Sequence, residues 1–304
     1  MRSYRYLHLD VFTDHLFGGN QLAVFVDARG ITPDVMQQIA FEMNFSETTF
    51  VLPADQPGSD LRVRIFTPGE ELPMAGHPTV GTAFALAHTG VLASGRAAVT
   101  FGLGVGPTEV TLAWEGAALR SATMTQLPPT FGPAFTGRAD VAASLGLIER
   151  DLMKNLPVQL VSCGVPYLLI PLDSRAAVDR ARFDAQAWQR VREQASLAPT
   201  VCAYLFTVDA GSGSEVAYSR MFGAGVGISE DPATGSAAGP LGAYLVQHGL
   251  RSGAGAVGMI VRQGIAMGRP SEIQVSIESR GEAITRVRVG GTAVLAGDAI
   301  LYLP

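Results

Sequence analysis

The sequence predicts a mixed α/β protein made of two similar halves. Three observations point there: short apolar strands alternate with Ala-rich helices, a Pro/Gly-rich break interrupts that alternation near the middle, and one strand-turn-helix device occurs twice. With 304 residues, 47% hydrophobic and only 16% charged, most of the chain can be buried. A single core stops growing at about 250–300 residues, so two domains fit better than one.

At the N-terminus, MRSYRYLHLDVF alternates polar and apolar residues, which predicts a first strand and not a signal peptide. Residues 4–12 and 21–26 predict strands joined through FGGN. Pro33 to Asn44 predicts a helix with Thr32 at its N-cap and Pro33 at N1. A strand follows at about 46–52, then LRVRIF (61–66), a turn-rich stretch, a helix from Pro78 to His88 closed by Gly90, and short strands through 97–124. The segment QLPPTFGPAFTG (126–137) predicts a linker, dividing the chain into domains 1–126 and 127–304. Beyond it come a helix near 139–146, strands at 157–172, an Arg/Ala-rich helix near 182–195 and strands at 202–207 and 215–222. A long helix from Pro232 to about His248 follows, with Pro240 able to kink it, and then a tail of short strands over 256–304. The strands after about 280 are candidates to return to the first domain's sheet.

Composition removes several function classes. Basic and acidic residues number 22 and 27 for a net charge of −5, and the basic ones are scattered, which excludes the clustered positive charge of a nucleic-acid groove. No unbroken apolar run approaches the roughly 18 residues of a membrane span. Cys163 and Cys202 lie in apolar surroundings without a CxxC pattern, which suits core residues in a reduced, cytoplasmic setting. Glu70 and Glu71 are adjacent in a turn and are most simply solvated. The histidines have no i, i+4 partners, so no metal site is expected. GLGVG (102–106) and GAGVG (223–227) do not open helices as G-x-G-x-x-G, and no G-x-S-x-G elbow occurs.

The internal repeat carries the functional reading. R-I-F (64–66) leads to His77-Pro78-Thr79-Val80-Gly81-Thr82 and an Ala-rich helix, and R-M-F (220–222) leads through GAGVG to Asp231-Pro232-Ala233-Thr234-Gly235-Ser236 and another. Each copy predicts a polar N-cap, Pro at N1 and free backbone N–H groups suited to an anion. Two such helix starts facing one inter-domain cleft would form a small-molecule site, with His77 and Asp231 opposite each other. Read singly, each motif is ordinary capping. Glu47, in NFSETTF, is a carboxylate heading an apolar strand; burial would raise its proton affinity towards the range useful near neutrality. Its bland alternative is a strand-edge side chain in solvent.

FGGNQLAV (17–24), NFSETTFV (44–51), FTPGEELPMAGHPTVGTA (66–83), EDPATGSAAGPL (230–241), QGIAMGRPSEI (263–273) and VGGTAVL (289–295) resemble the phenazine-biosynthesis PhzF-like family, in order and over nearly the whole chain. The resemblance implies a diaminopimelate-epimerase-like fold: two similar domains, each a mixed sheet curled into a barrel around a central helix, with the site between them. It also implies an isomerase that needs no cofactor and acts as a homodimer. Carried over by residue, Glu47 matches the general acid/base; His77, Asp231 and Ser236 match its polar companions. Ser46, Gly76, Thr82, Gly235 and Asn20 fall in the same motifs. The thiol pair of two-base racemases has no counterpart at Ser46-Glu47, Gly76-His77 or Gly235-Ser236. The implied chemistry is proton movement by Glu47 on a small carboxylated substrate such as dihydro-hydroxyanthranilate; an amino- or hydroxy-acid epimerase and a non-catalytic metabolite-binding protein are the alternatives. This chain has Gln21 where many members carry Pro, and Met74 where a larger residue such as Phe is expected.

Overall fold

Strand pairing, not sequence spacing, exposes how completely the chain is duplicated. The computed structural model describes residues 1–208, 215–223, 228–253 and 255–304. The first half contributes β1 (Arg2–Val11), β2 (Asn20–Phe25), α1 (Pro33–Met43), β3 (Glu47–Pro53), β4 (Leu61–Phe66), the short β5 (Glu71–Leu72), α2 (Gly76–His88), β6 (Ala98–Leu103), β7 (Gly106–Glu115) and β8 (Ala118–Gln126). The second contributes β9 (Thr130–Phe135), α3 (Arg138–Ser144), β10 (Val158–Ser162), β11 (Pro166–Pro171), α4 (Arg175–Arg180), α5 (Ala185–Gln194), β12 (Cys202–Val208), β13 (Glu215–Gly223) and β14 (Ile228–Asp231). It continues with α6 (Gly235–Gln247), β15 (Ala256–Gln263), β16 (Ser271–Arg280), β17 (Ala283–Gly291) and β18 (Ala293–Leu303).

Hydrogen bonds join the strands in the order β18-β1-β2-β3-β4-β6-β7-β8 in one half. In the other half the order is β9-β10-β11-β12-β13-β15-β16-β17. Both runs are antiparallel except at the third and fifth pairs, which are parallel: β2 with β3 and β4 with β6, then β11 with β12 and β13 with β15. The halves meet through β8 and β17, antiparallel, so the last strand of each run is the joint. β18 therefore completes the sheet of the first half by pairing with β1 from Arg2 to Val11.

Parallel pairs require a crossover, and helices supply it twice over. α1 connects β2 to β3 and packs outside the first sheet, on a core that includes Phe25, Ile39, Phe50 and Phe66. α4 and α5 connect β11 to β12 and cover the second sheet around Trp188, Val178 and Leu205. α2 and α6 are buried on nearly every side and touch strands from across their halves, so each sheet curls around its own helix. That position explains their Ala/Gly composition: a helix apolar all round is a core helix, and small side chains let the strands approach.

Four expectations need correction. α2 starts at Gly76 with Ala75 as N-cap, so His77 is the second helical residue and Pro78 the third. α6 starts only at Gly235 with Thr234 as N-cap, so Asp231 ends a strand and Pro232 lies outside the helix. The cause is tertiary: the Gln263 side chain donates to the Asp231 carbonyl and accepts from the Thr234 N–H, and Ser271 donates to the Pro232 carbonyl, holding 231–234 out of the helix. The repeat is thus shifted in space, and His77 corresponds to Ser236 instead of Asp231. The 126–137 segment contains a strand, β9, paired with β10, and the 256–304 tail is four strands of 8–11 residues; the helix expected near 182–195 is α5, and α4 is an additional short helix before it. In the GAGVG turn, residues 224–227 lie outside the described residues.

Candidate active site

Two helix starts touch at the centre of the molecule. A Cβ on Gly76 would fall 2.7 Å from backbone atoms of Gly235 and Ser236, so glycine alone permits this approach. Beside the contact opens a cavity of about 280 Å³, lined on its polar side by Glu47, His77, Asp231 and Ser236 and on its apolar side by Met74, Val165, Tyr167 and Met221. No lysine or arginine is among its lining residues.

Glu47 is the first residue of β3, turned inward after α1 ends in a left-handed Asn44 (φ 52°). It is 8% exposed. Its Oε2 has no hydrogen-bond partner and lies 3.3 Å from Nε2 of His77, which also has none. Burial, followed by the charge of Asp231, pushes its proton affinity well above the carboxylate range.

His77 is equally enclosed, and burial, opposed by the Gln21 backbone, holds its pKa down at about 3, so the ring is neutral. Its Nδ1 lies 3.1 Å from the Asn20 amide nitrogen, which also donates to Asp231 Oδ1 at 2.8 Å and to the Ala233 carbonyl at 3.1 Å. Nδ1 of the neutral ring thus faces Asn20, and Nε2 faces Glu47. His77 and Asp231 are therefore neighbours through Asn20, not opposed groups.

Asp231 accepts from Asn20, from Ser46 Oγ at 2.9 Å and from Thr234 Oγ1 at 2.6 Å. Burial raises its pKa to about 6, while these three donors pull it down and Glu230 pushes it up. Of the two buried carboxyls, Asp231 has donors and Glu47 has none. The shared proton accordingly resides on Glu47 and the negative charge on Asp231.

Ser236, second in α6, shares a 2.7 Å hydrogen bond with the Tyr167 hydroxyl. Gly76 and Gly235 line the cavity; Asn20 and Ser46 stand behind its wall and act through Asp231 and His77. Thr82 does not belong with them. It lies in the second turn of α2, away from the cavity, with its hydroxyl 3.0 Å from Thr49 Oγ1. Glu71 is exposed and pairs with Arg64 at the cavity rim. Both cysteines are buried, and burial keeps Cys202 protonated, with its pKa up at about 12, yet Cys202 touches the cavity. Sequence reasoning missed Tyr167 and Cys202. The signal was the duplication itself: Tyr167 pairs with Cys202 across β11 and β12, as Leu22 pairs with Glu47 across β2 and β3.

Comparison with known proteins places this architecture in one class. Residues 9–299 match the family described as phenazine biosynthesis-like protein. The chain is 37% identical to an uncharacterised isomerase of Mesorhizobium japonicum, covering all of both chains. It is 35% identical to the trans-2,3-dihydro-3-hydroxyanthranilate isomerase of Pseudomonas fluorescens, over 99% of this chain and 100% of that one. The crystal structure of a PhzF-family phenazine biosynthesis protein from Bacillus anthracis superposes with a TM-score of 0.90 at 27% identity, covering all of both chains. The fold alone is shared with a hydroxyproline epimerase of Agrobacterium vitis, at a TM-score of 0.69 and 12% identity over 99% of this chain and 92% of that one. The chain belongs to the phenazine biosynthesis-like (PhzF) family and has the diaminopimelate-epimerase-like fold. It is an isomerase.

Proposed function

We propose that the protein moves a proton between two carbons of a small carboxylated, unsaturated substrate, with Glu47 as the single acid/base. The observation that carries this reading is the buried, unpartnered carboxyl of Glu47 in the cavity wall, beside a neutral His77 and an Asp231 that holds the negative charge. In its ionised form Glu47 takes a proton from a carbon acidified by the adjacent double bond and carboxylate. The double bond shifts, and the resulting carboxylic acid returns the proton to another carbon on the same face, so no electrons are gained or lost. His77, with Nε2 3.3 Å from Oε2, limits where the Glu47 carboxyl can swing. The first-turn N–H groups of α2 and α6 receive the substrate carboxylate and the charge that develops as the proton leaves. The apolar wall from Met74 to Met221 takes the hydrocarbon body.

The test is proton NMR in deuterated buffer with a panel of small unsaturated and amino-bearing carboxylates, including trans-2,3-dihydro-3-hydroxyanthranilate, the compound named for the Pseudomonas fluorescens relative. Deuterium should enter a C–H position with wild type and not with Glu47→Gln. Ligand binding without exchange across the panel would favour a metabolite-binding protein. One observation supports epimerisation as a second reading: Cys202, a protonated thiol touching the cavity, heads β12 as Glu47 heads β3. Deuterium entry with inversion at one carbon, lost in Cys202→Ala, would select it. The reading also takes the enzyme as a cytoplasmic homodimer; light scattering tests the assembly. Among the described residues no helix is long and apolar enough to cross a membrane.

A further inference from the structure

We propose that Arg269 is a positioning residue: through the segment 263–271 it holds Asn20 and Asp231 in one frame, so that the Asp231 carboxyl keeps its hydrogen-bond donors. The stretch QGIAMGRPSEI connects β15 to β16 in the second half and has no part in the chemistry above. The loop FGGN that leads into Asn20 belongs to the first half. Arg269 bridges them.

Its Nε donates to the Gly19 carbonyl at 2.8 Å, and Nη2 donates to the Gly18 carbonyl at 2.6 Å and to Asp10 Oδ1 at 2.5 Å. The Gly19 carbonyl belongs to the peptide unit that carries Asn20, so the guanidinium fixes the plane from which the Asn20 amide projects. Asp10 is 2% exposed, and its other oxygen accepts from the Phe17 N–H at 2.8 Å, tying down the same loop. The Gly19 N–H donates to the Pro270 carbonyl at 3.0 Å. Gly19 itself is left-handed (φ 60°), with the Val11 carbonyl where a Cβ would sit, so the loop has one path.

The other end of the segment grips Asp231. Gln263, fully buried, donates to the Asp231 carbonyl at 2.7 Å and to Thr234 Oγ1 at 2.9 Å, and accepts from Tyr204 and the Thr234 N–H. Ser271 donates to the Pro232 carbonyl. Two of the three donors to the Asp231 carboxyl, Asn20 and Thr234, are thus aimed by this one segment. Loosening it strips hydrogen bonds from the carboxylate form and raises its proton affinity. The other titratable or charged groups around Asp231 are Glu47 on β3, His77 on α2, Tyr167 on β11, Cys202 and Tyr204 on β12, and Glu230 with its partner Arg220. None of them touches Arg269.

The proposal rests on the proposed function only in treating Asp231 as the charged companion of the acid/base Glu47, so the experiment needs no turnover. Full-length wild type, Arg269→Gln, Arg269→Lys and Asp10→Asn are labelled with carboxyl-¹³C aspartate and titrated by NMR. The Asp231 signal is identified by its loss in Asp231→Asn. Arg138→Gln is the control: its guanidinium is as enclosed as that of Arg269, each 21% exposed, but it bonds the Leu156 and Met153 carbonyls away from the cavity. The proton affinity of Asp231 should rise about tenfold in Arg269→Gln, less in Arg269→Lys, and stay at the wild-type value in Arg138→Gln even where that variant loses as much thermal stability. If Arg269→Gln does not fold, Arg269→Lys and Asp10→Asn carry the same reading. An Asp231 titration unchanged in every Arg269 or Asp10 variant that folds overturns it. A protein that exchanged no proton on any panel substrate would defeat the proposed function and leave this result untouched.

Discussion

Glu47→Gln keeps the shape of the side chain and removes the proton, so it separates catalysis from packing. Because volume is conserved, no cavity term enters. In the unfolded chain a glutamate ionises near 4.3, whereas in the folded protein burial keeps Glu47 protonated well above that. A folded pKa above the unfolded one means stability that is complete below the unfolded value and is lost as pH rises towards the folded one. The loss runs at up to about 1.4 kcal/mol per pH unit over the window between the two values. Glutamine has no such slope. At roughly 3 °C per kcal/mol for a chain of this order, the melting temperature of the variant should gain on that of wild type by up to about 4 °C per pH unit across the window. Deuterium exchange into substrate should meanwhile fall by about 10²–10⁴, the usual contribution of a positioned acid/base. The assays are thermal melts in matched low-salt buffers from pH 5 upward and NMR exchange at pH 7. A gap in melting temperature that does not change with pH would mean that Glu47 ionises as freely folded as unfolded, which refutes the assignment of the proton to it. Exchange at the wild-type rate would refute its role.

Other consequences can be checked with the same material. Because Asp231 and the base Glu47 must both be anionic at the start of the reaction, kcat/KM should rise with pH first through about 6 as Asp231 ionises and further as Glu47 does; Asp231→Asn should lose the first limb and keep the second, with no limb from His77, which stays neutral down to about 3. Gly76→Ala drives a Cβ into backbone at 2.7 Å that cannot give way, so urea melts should show a loss of about 1–3 kcal/mol together with loss of exchange, because the two helix starts are forced apart. Tyr167→Phe removes one 2.7 Å hydrogen bond to Ser236 worth about 1 kcal/mol, so the melting temperature should fall by about 3 °C and KM should rise as Ser236 loses its anchor in the cavity wall.

Much of the fold was legible because the duplication leaves local marks. R-I-F ends β4 and R-M-F stands one residue before the end of β13, strands that hold the same rank in the two runs, and an Ala-rich helix follows each. Helix boundaries were less legible, since hydrogen bonds with Gln263 and Ser271, 29 and 39 residues beyond their partners, decide where α6 begins. Thr32 is an N-cap by position, but its hydroxyl makes no capping bond, so composition identified the boundary without the interaction that usually explains it. β9 was hidden in a Pro/Gly-rich segment. Its only strand partner among the described residues is β10, so it is an edge strand, where Pro133 removes no ladder bond that a second neighbour would need.

The same logic divides the site. Glu47 could be singled out because a carboxylate heading an apolar strand is anomalous within seven residues of sequence, whereas Arg269 acts on Gly19 across 250 residues and Tyr167 on Ser236 across 69. The duplicated frame delivers equivalent positions to the cavity from both sides: strand heads at Glu47 and Cys202, helix starts at His77 and Ser236. What occupies them is unequal. One side carries a carboxyl with no donors beside a neutral imidazole; the other carries a thiol held protonated and a serine paired with a tyrosine. A symmetric frame that needed two bases would place similar groups at equivalent positions. Here the groups at equivalent positions differ in kind, and the one carboxyl left without donors stands on a single side, which is the arrangement the proposed same-face proton transfer uses.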